Sequence, residues 1–237
     1  MAAPISIRLE GSVLWIGFNR LERYNAYNLA MRDALYEAFG LVAEHPDVGA
    51  VIVYGEGDHY SAGADLTEFG SAPSQDVARR VRFARDVWGR VLACPRPTIA
   101  ALHGYCLGSG LELALLCDQR IAADDAVLGL PEIKLGMIPA AGGTQSAPRV
   151  AGLGHASALL LSGERIAAGE AMRHRLVEEV VPRAQLRLRA GEIAEHCAGL
   201  APDAVLATRD ALRRGLDLPL AAGLALERRL ARRVWEK

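Results

Sequence analysis

Residues 97–112 read Pro97-Thr98-Ile99-Ala100-Ala101-Leu102-His103-Gly104-Tyr105-Cys106-Leu107-Gly108-Ser109-Gly110-Leu111-Glu112. The apolar run Thr98 to Leu102 has the length of a buried strand, and the segment from about Ser109 to Leu116 favours a helix. Between them lies a glycine-rich turn. Such a turn at a helix start aims backbone N–H groups at one point, where they can hold an anion. Downstream follow Leu130-Pro131-Glu132 and Pro139-Ala140-Ala141-Gly142-Gly143-Thr144-Gln145. Glu112 and Glu132 add two carboxylates to the donor turn, the ingredients of acid–base chemistry on a bound carbonyl.

Upstream, residues 5–9 and 13–18 are alternating apolar runs separated by Glu10-Gly11-Ser12, the pattern of a β-hairpin. Met31, Leu35, Phe39 and Val42 recur at helical spacing, and His45-Pro46-Asp47 ends that helix. Val48 to Tyr54 is a short buried-strand pattern. Next comes a second turn of small residues, Ser61-Ala62-Gly63-Ala64-Asp65-Leu66, where backbone can approach a ligand closely. Residues 67–76 read as a mobile loop. A helix is expected over about 75–92, with Val77, Val81, Ala84, Trp88 and Val91 on one face.

Beyond the opening stretch, 118–123 and 126–130 read as short strands, 142–150 and 154–161 as helices, 168–174 as helical and 177–181 as a last strand. Everything after Pro182 is helical in pattern: 183–199, 202–214 and 218–235, with apolar stripes and arginine-rich outer faces. Strand–helix alternation predicts an α/β fold over residues 1–182, and the tail 183–237 predicts a helical packing or assembly region.

The 237 residues carry a formal net charge of −1, which gives no general pull toward nucleic acid or anionic lipid. No stretch reaches membrane-spanning length and the N-terminus lacks a signal-peptide pattern, so a cytoplasmic enzyme is expected. Cys94, Cys106, Cys117 and Cys197 show neither a paired-ligand spacing nor a disulfide framework, so no metal is expected. Ser61 and Ser109 lack the flanks of a nucleophile elbow.

Two turns that each supply one N–H could stabilise the oxyanion of an enolate. With Asn19-Arg20, Asn25-Ala26, residues 61–66, Gly104 to Glu112, Leu130-Pro131-Glu132 and Ile138-Pro139 to Gln145 in this order, the chain resembles the enoyl-CoA hydratase/isomerase (crotonase) family. The resemblance implies a spiral of ββα repeats, a C-terminal helical trimerisation region and a CoA thioester substrate, with no cofactor beyond the coenzyme A that the substrate itself carries. Carried onto this sequence, the oxyanion donors fall on the Ala64 and Ser109 N–H groups and the two catalytic carboxylates on Glu112 and Glu132. Ala62, Asp65 and Leu66 fall on the path of the CoA moiety, and Arg23 on a contact to its phosphates. The implied activity is hydration of a 2-enoyl-CoA by a homotrimer or homohexamer. An isomerase and a catalytically silent acyl-CoA-binding protein are the alternatives. Three features depart from the family pattern: Glu22 stands where a basic residue is common, Ala140 where a glycine is common, and the chain stops shortly after Trp235.

Overall fold

The computed structural model describes residues 3–70, 73, 74, 77 and 84–236. Its frame is a six-stranded sheet in the order β1 (Ile5–Glu10), β2 (Val13–Phe18), β3 (Ala50–Gly55), β4 (Thr98–Leu102), β6 (Gln119–Ala123) and β9 (Glu179–Val181). The expected hairpin forms, with β1 antiparallel to β2 and Glu10 paired with Val13. Every later pairing in this sheet is parallel.

A second sheet joins β5 (Tyr105–Leu107), β7 (Val127–Gly129) and β8 (Arg165–Ala167). An isolated parallel bridge between Ser61 and Cys106 extends it by one rung. Each pass of the chain therefore lays one strand in the large sheet and one in the small: β3 with Ser61, β4 with β5, β6 with β7. Stacking these passes generates a spiral of ββ units closed by short helices.

Both faces of β2, β3 and β4 are buried, which explains the unbroken apolar runs of β3 and β4, whereas the edge strand β1 is largely exposed. On one face Leu14, Ile16, Phe18, Val51, Val53, Ala100 and Leu102 meet Met31, Leu35, Phe39 and Val42 of α1 (Leu29–Glu44) and Val87 and Val91 of α2 (Val87–Ala93). On the other, Trp15, Ile52, Ile99 and Ile121 meet Leu186, Ala190 and Ala194 of α7 (Leu186–Ala198). Small residues let this helix lie close, with Gly191 facing the Trp15 ring.

Between them the chain forms α3 (Ser109–Ala114), α4 (Gly143–Ala151), α5 (Leu153–Ser162) and α6 (Ala168–Arg173). After α7 come α8 (Pro202–Gly215) and α9 (Leu220–Trp235), so the helical C-terminus is present.

Two expectations change. The continuous helix over 75–92 does not form in its described part: Ala84 and Arg85 make a bend, and α2 starts only at Val87, where the Asp86 carboxylate caps the Gly89 N–H at 2.9 Å. Asp86 competes for the backbone and wins the start position. Val77 is exposed, Trp88 packs against the core, and Val81 lies outside the described residues. The short strand β8 has no signal in Arg165-Ile166-Ala167 and exists only through its pairing with β7.

The C-terminal helices are fastened by one carboxylate. Asp118 accepts from the Thr98 N–H (2.8 Å) and hydroxyl (3.0 Å), from Arg209 Nε (2.8 Å) and from Arg213 Nη2 (2.9 Å). Arg209 and Arg213 also donate to the Cys94, Leu92 and Leu116 carbonyls. Removing one partner of such a pair strands a buried guanidinium, so Asp118→Ala is expected to cost about 3–5 kcal/mol in urea unfolding.

His103, 4% exposed, lies beyond the end of β4 with both ring nitrogens sealed from water beside the Ala101 and Gly57 backbone. Burial, helped by the nearby Arg183 and opposed by Asp125, pulls its pKa from 6.5 to about 4. The unfolded chain therefore binds this proton first, and stability falls as pH drops from 6.5 toward 4. The loss is expected to reach roughly 3 kcal/mol, and His103→Phe should flatten that limb of a stability–pH profile.

Candidate active site

The two small-residue turns lie at the carboxyl ends of neighbouring strands and touch through their backbones. Ser61 donates its N–H to the Tyr105 carbonyl (2.8 Å) and accepts from the Leu107 N–H (2.9 Å). A Cβ on Gly63 would meet the Leu107 carbonyl at 3.1 Å, and one on Gly110 would meet the Ser61 Cβ at 2.5 Å. Gly63 and Gly108 adopt φ of +98° and +48°, left-handed values that favour glycine.

This approach orients two donors. Tyr27 bonds the residues on either side of Ala64, accepting from the Asp65 N–H and donating to the Gly63 carbonyl, both at 2.8 Å. Ala64 therefore turns its own N–H away from Tyr27. Ser109 is the first residue of α3, where an N–H has no carbonyl within the helix. Among the described residues, neither N–H has an acceptor in the chain.

The supports are polar and buried. The Asn25 side chain accepts from the Arg20 N–H (2.8 Å) and donates to the Glu56 (2.9 Å) and His59 (2.7 Å) carbonyls. The Ser61 hydroxyl donates to the Asn25 carbonyl at 2.8 Å. Arg20 forms a salt bridge with Asp65 at 2.9 Å, and Asp65 accepts from the Thr67 N–H and hydroxyl. The bonds from Thr67, outweighing a modest burial penalty and aided by Arg20, hold the Asp65 carboxyl below its usual pKa. This carboxylate builds the turn from within. The half-buried Ala62 and the exposed Leu66 leave surface at its rim, and Arg23 is exposed.

The two carboxylates are held in different ways. Glu112, 1% exposed, lies one helical turn beyond Gly108, whose carbonyl accepts its N–H at 2.9 Å. Its Oε1 accepts from the Ala141 (2.9 Å) and Gly143 (2.8 Å) N–H groups. Ala140 is exposed, so the substitution of alanine there leaves these backbone donors in place.

Glu132 enters from the short 3-10 helix Pro131–Leu135. A Cβ on Gly108 would stand 2.8 Å from its Oε1 and 3.5 Å from the Gly63 Cα, which puts this carboxylate at the meeting point of the two turns. Its Oε2 is sealed from water without a hydrogen-bond partner in the chain, and burial raises its pKa.

The structure thus brings Glu132 to the contact between the turns that carry Ala64 and Ser109, and fixes Glu112 on the helix that Ser109 opens. Sequence reading missed Asn25 and Ser61 as supports, because their bonds run to residues more than thirty positions away. It also missed Gly143 and Ala141 as holders of Glu112. Phe69 is exposed, and Cys106 is buried with its thiol pKa pushed above the usual range by desolvation, which makes it a packing residue.

Known proteins resemble this chain in sequence and in fold. Residues 8–237 match the family model for enoyl-CoA hydratase/isomerase. A probable enoyl-CoA hydratase of Mycobacterium bovis is 39% identical over 91% of this chain and 83% of its own length. The 2,3-dehydroadipyl-CoA hydratase of Escherichia coli is 39% identical over 92% of this chain and 85% of its own. The crystal structure of an enoyl-CoA hydratase from Bacillus anthracis superposes with a TM-score of 0.94 at 38% identity, covering 99% of this chain and 92% of that one. Fold, paired turns and sequence together place the chain in the enoyl-CoA hydratase/isomerase family.

Proposed function

We propose that the protein is an enoyl-CoA hydratase that adds water across the double bond of a 2-enoyl-CoA thioester. The observation that carries this reading is the pairing of two differently held carboxylates with two donor N–H groups. The thioester oxygen accepts from the Ala64 and Ser109 N–H groups. An oxyanion donor of this kind is worth roughly 2.7–4 kcal/mol in mutational tests, and it acts most strongly on the enolate that forms during addition.

Glu112, oriented by the Ala141 and Gly143 N–H groups, takes a proton from water as its oxygen bonds to Cβ. The electron pair of the double bond moves to give the enolate. Glu132, whose pKa is raised by burial, serves as the acid that delivers a proton to Cα and restores the C=O. Atoms balance with no cofactor beyond the coenzyme A of the substrate itself.

An apolar pocket of about 220 Å³ beside Ile133, Ile138, Pro139, Leu160 and Leu161 borders the 3-10 helix that carries Glu132. Assembly as a homotrimer or homohexamer belongs to the same reading. It is supported by the apolar residues Leu216, at the end of α8, and Leu220 and Trp235 of α9, which stand exposed. None of the described helices is long and apolar enough to cross a membrane. A cytoplasmic site of action fits the substrate class.

Loss of the enoyl-thioester absorbance across a panel of 2-enoyl-CoAs tests the activity; a folded protein that hydrates none of them would sink it. Glu112→Gln and Glu132→Gln are each expected to lower kcat at least 10²-fold. An isomerase would keep most of its activity in Glu112→Gln and lose it in Glu132→Gln.

Gly108→Ala adds a Cβ at 2.8 Å from Glu132 Oε1, whereas Gly11→Ala, at φ +57°, meets nothing within 4 Å. Glu132 Oε1 is the far end of a flexible side chain and can yield, so Gly108→Ala is expected to lower kcat by displacing that carboxylate, while the backbone at φ +48° and ψ −128° costs about 1–3 kcal/mol in thermal unfolding.

A further inference from the structure

A cavity of about 270 Å³ lies at the opposite end of the large sheet from the candidate active site. It is lined by Ser12 of the hairpin turn, by Pro46–Gly49 before β3, by Pro95–Pro97 before β4, and by the junction of α7 and α8 from Cys197 to Val205. The oxyanion turns follow the carboxyl ends of the same strands. Strands of five and six residues separate the two places by about 17–20 Å.

The cavity exceeds by far the share of liquid volume of one water, about 30 Å³. Four of its lining residues, Pro46, Pro95, Pro97 and Pro202, are prolines. Their fixed φ makes the walls rigid, so little ordering is needed when something binds.

Arg96 gives this space its chemistry. Its Nε is sealed from water without a hydrogen-bond partner in the chain. Arg20, Arg120 and Arg209, by contrast, are paired with Asp65, Glu178 and Asp118. Among the described residues Arg96 makes no salt bridge, although Asp47 stands exposed at the cavity rim. The Cys197 thiol on the wall is kept neutral by a pKa raised through burial and the nearby Asp118, and the Asp47 carboxylate lies within ion-pair distance of His45 rather than of Arg96.

We infer that this cavity is a second binding site, for a compact oxyanion such as a phosphate or carboxylate group, with Arg96 as its charged partner. A guanidinium presents a planar fork of donors that suits two oxygens of one such group. The site joins the sheet to the C-terminal helices: Arg96 lies two residues before Thr98, which holds Asp118 and through it Arg209 and Arg213. Occupation therefore stabilises the docking of α8, by linkage between binding and folding.

The test is calorimetric titration and thermal unfolding of the whole protein with sodium phosphate and with sodium acetate, each against sodium chloride at matched ionic strength. The expected result is a saturable isotherm and a saturable rise in Tm with at least one oxyanion, at least tenfold weaker in Arg96→Gln. Saturation by phosphate alone identifies a phosphoryl ligand, and by acetate alone a carboxylate ligand. Val205→Phe, which fills the cavity from the opposite wall with Arg96 intact, should weaken binding equally and serves if Arg96→Gln does not fold. Absence of saturable binding by both oxyanions, or the same affinity in the wild type and the variants, would overturn the proposal.

Discussion

The close backbone contact between residues 61–64 and 105–110 is the constraint on which the rest of this molecule depends. The Ser61–Cys106 bridge fixes their register, Gly63 and Gly110 lie where a side chain would crowd the opposite turn, and one on Gly108 would meet the Glu132 carboxylate. Because the approach is made by backbone, it aims backbone donors, and the N–H groups of Ala64 and Ser109 survive any change of side chain at those positions. The cost of holding glycines in left-handed conformations is offset by buried polar supports. Asn25 satisfies three backbone groups, Ser61 locks Asn25, and Arg20 pairs with Asp65.

Around this contact the two glutamates are treated differently. Glu112 is held by two N–H donors from the Ala141–Gly143 segment, whereas Glu132 is half-buried with one oxygen unbonded and its pKa raised by desolvation. Environments that differ in this way separate two like groups into base and acid. The departures from the family pattern fall outside this arrangement: Ala140 is exposed, and Glu22 and Arg23 lie on the exposed rim.

The C-terminal helices stand apart energetically from the spiral and are joined to it largely through α7 and Asp118. Alternating residues of the large sheet feed two separate cores, one under α1 and α2 and the other under α7. Asp118 then ties α8 to the strand that leads into the catalytic turn, because Thr98 opens β4 and also binds that carboxylate. Stability of the tail and placement of Ser109 are thus linked through one strand.

Period and punctuation made the hairpin, α1, the buried strands and the helical tail readable, since apolar spacing and glycine or proline boundaries are local properties of the chain. The same holds for the presence of both donor turns and both glutamates. The bend at Ala84 and Arg85 was not readable, because a single Asp86 cap overrode an apolar stripe, and β8 exists only by pairing with β7. The sequence by itself determined which backbone could bend and which residues could carry charge. Only the tertiary structure decided that the turns carrying Ala64 and Ser109, forty-five positions apart, meet beside Glu132. That convergence depends on contacts between strands far apart in the chain, and no local pattern encodes them.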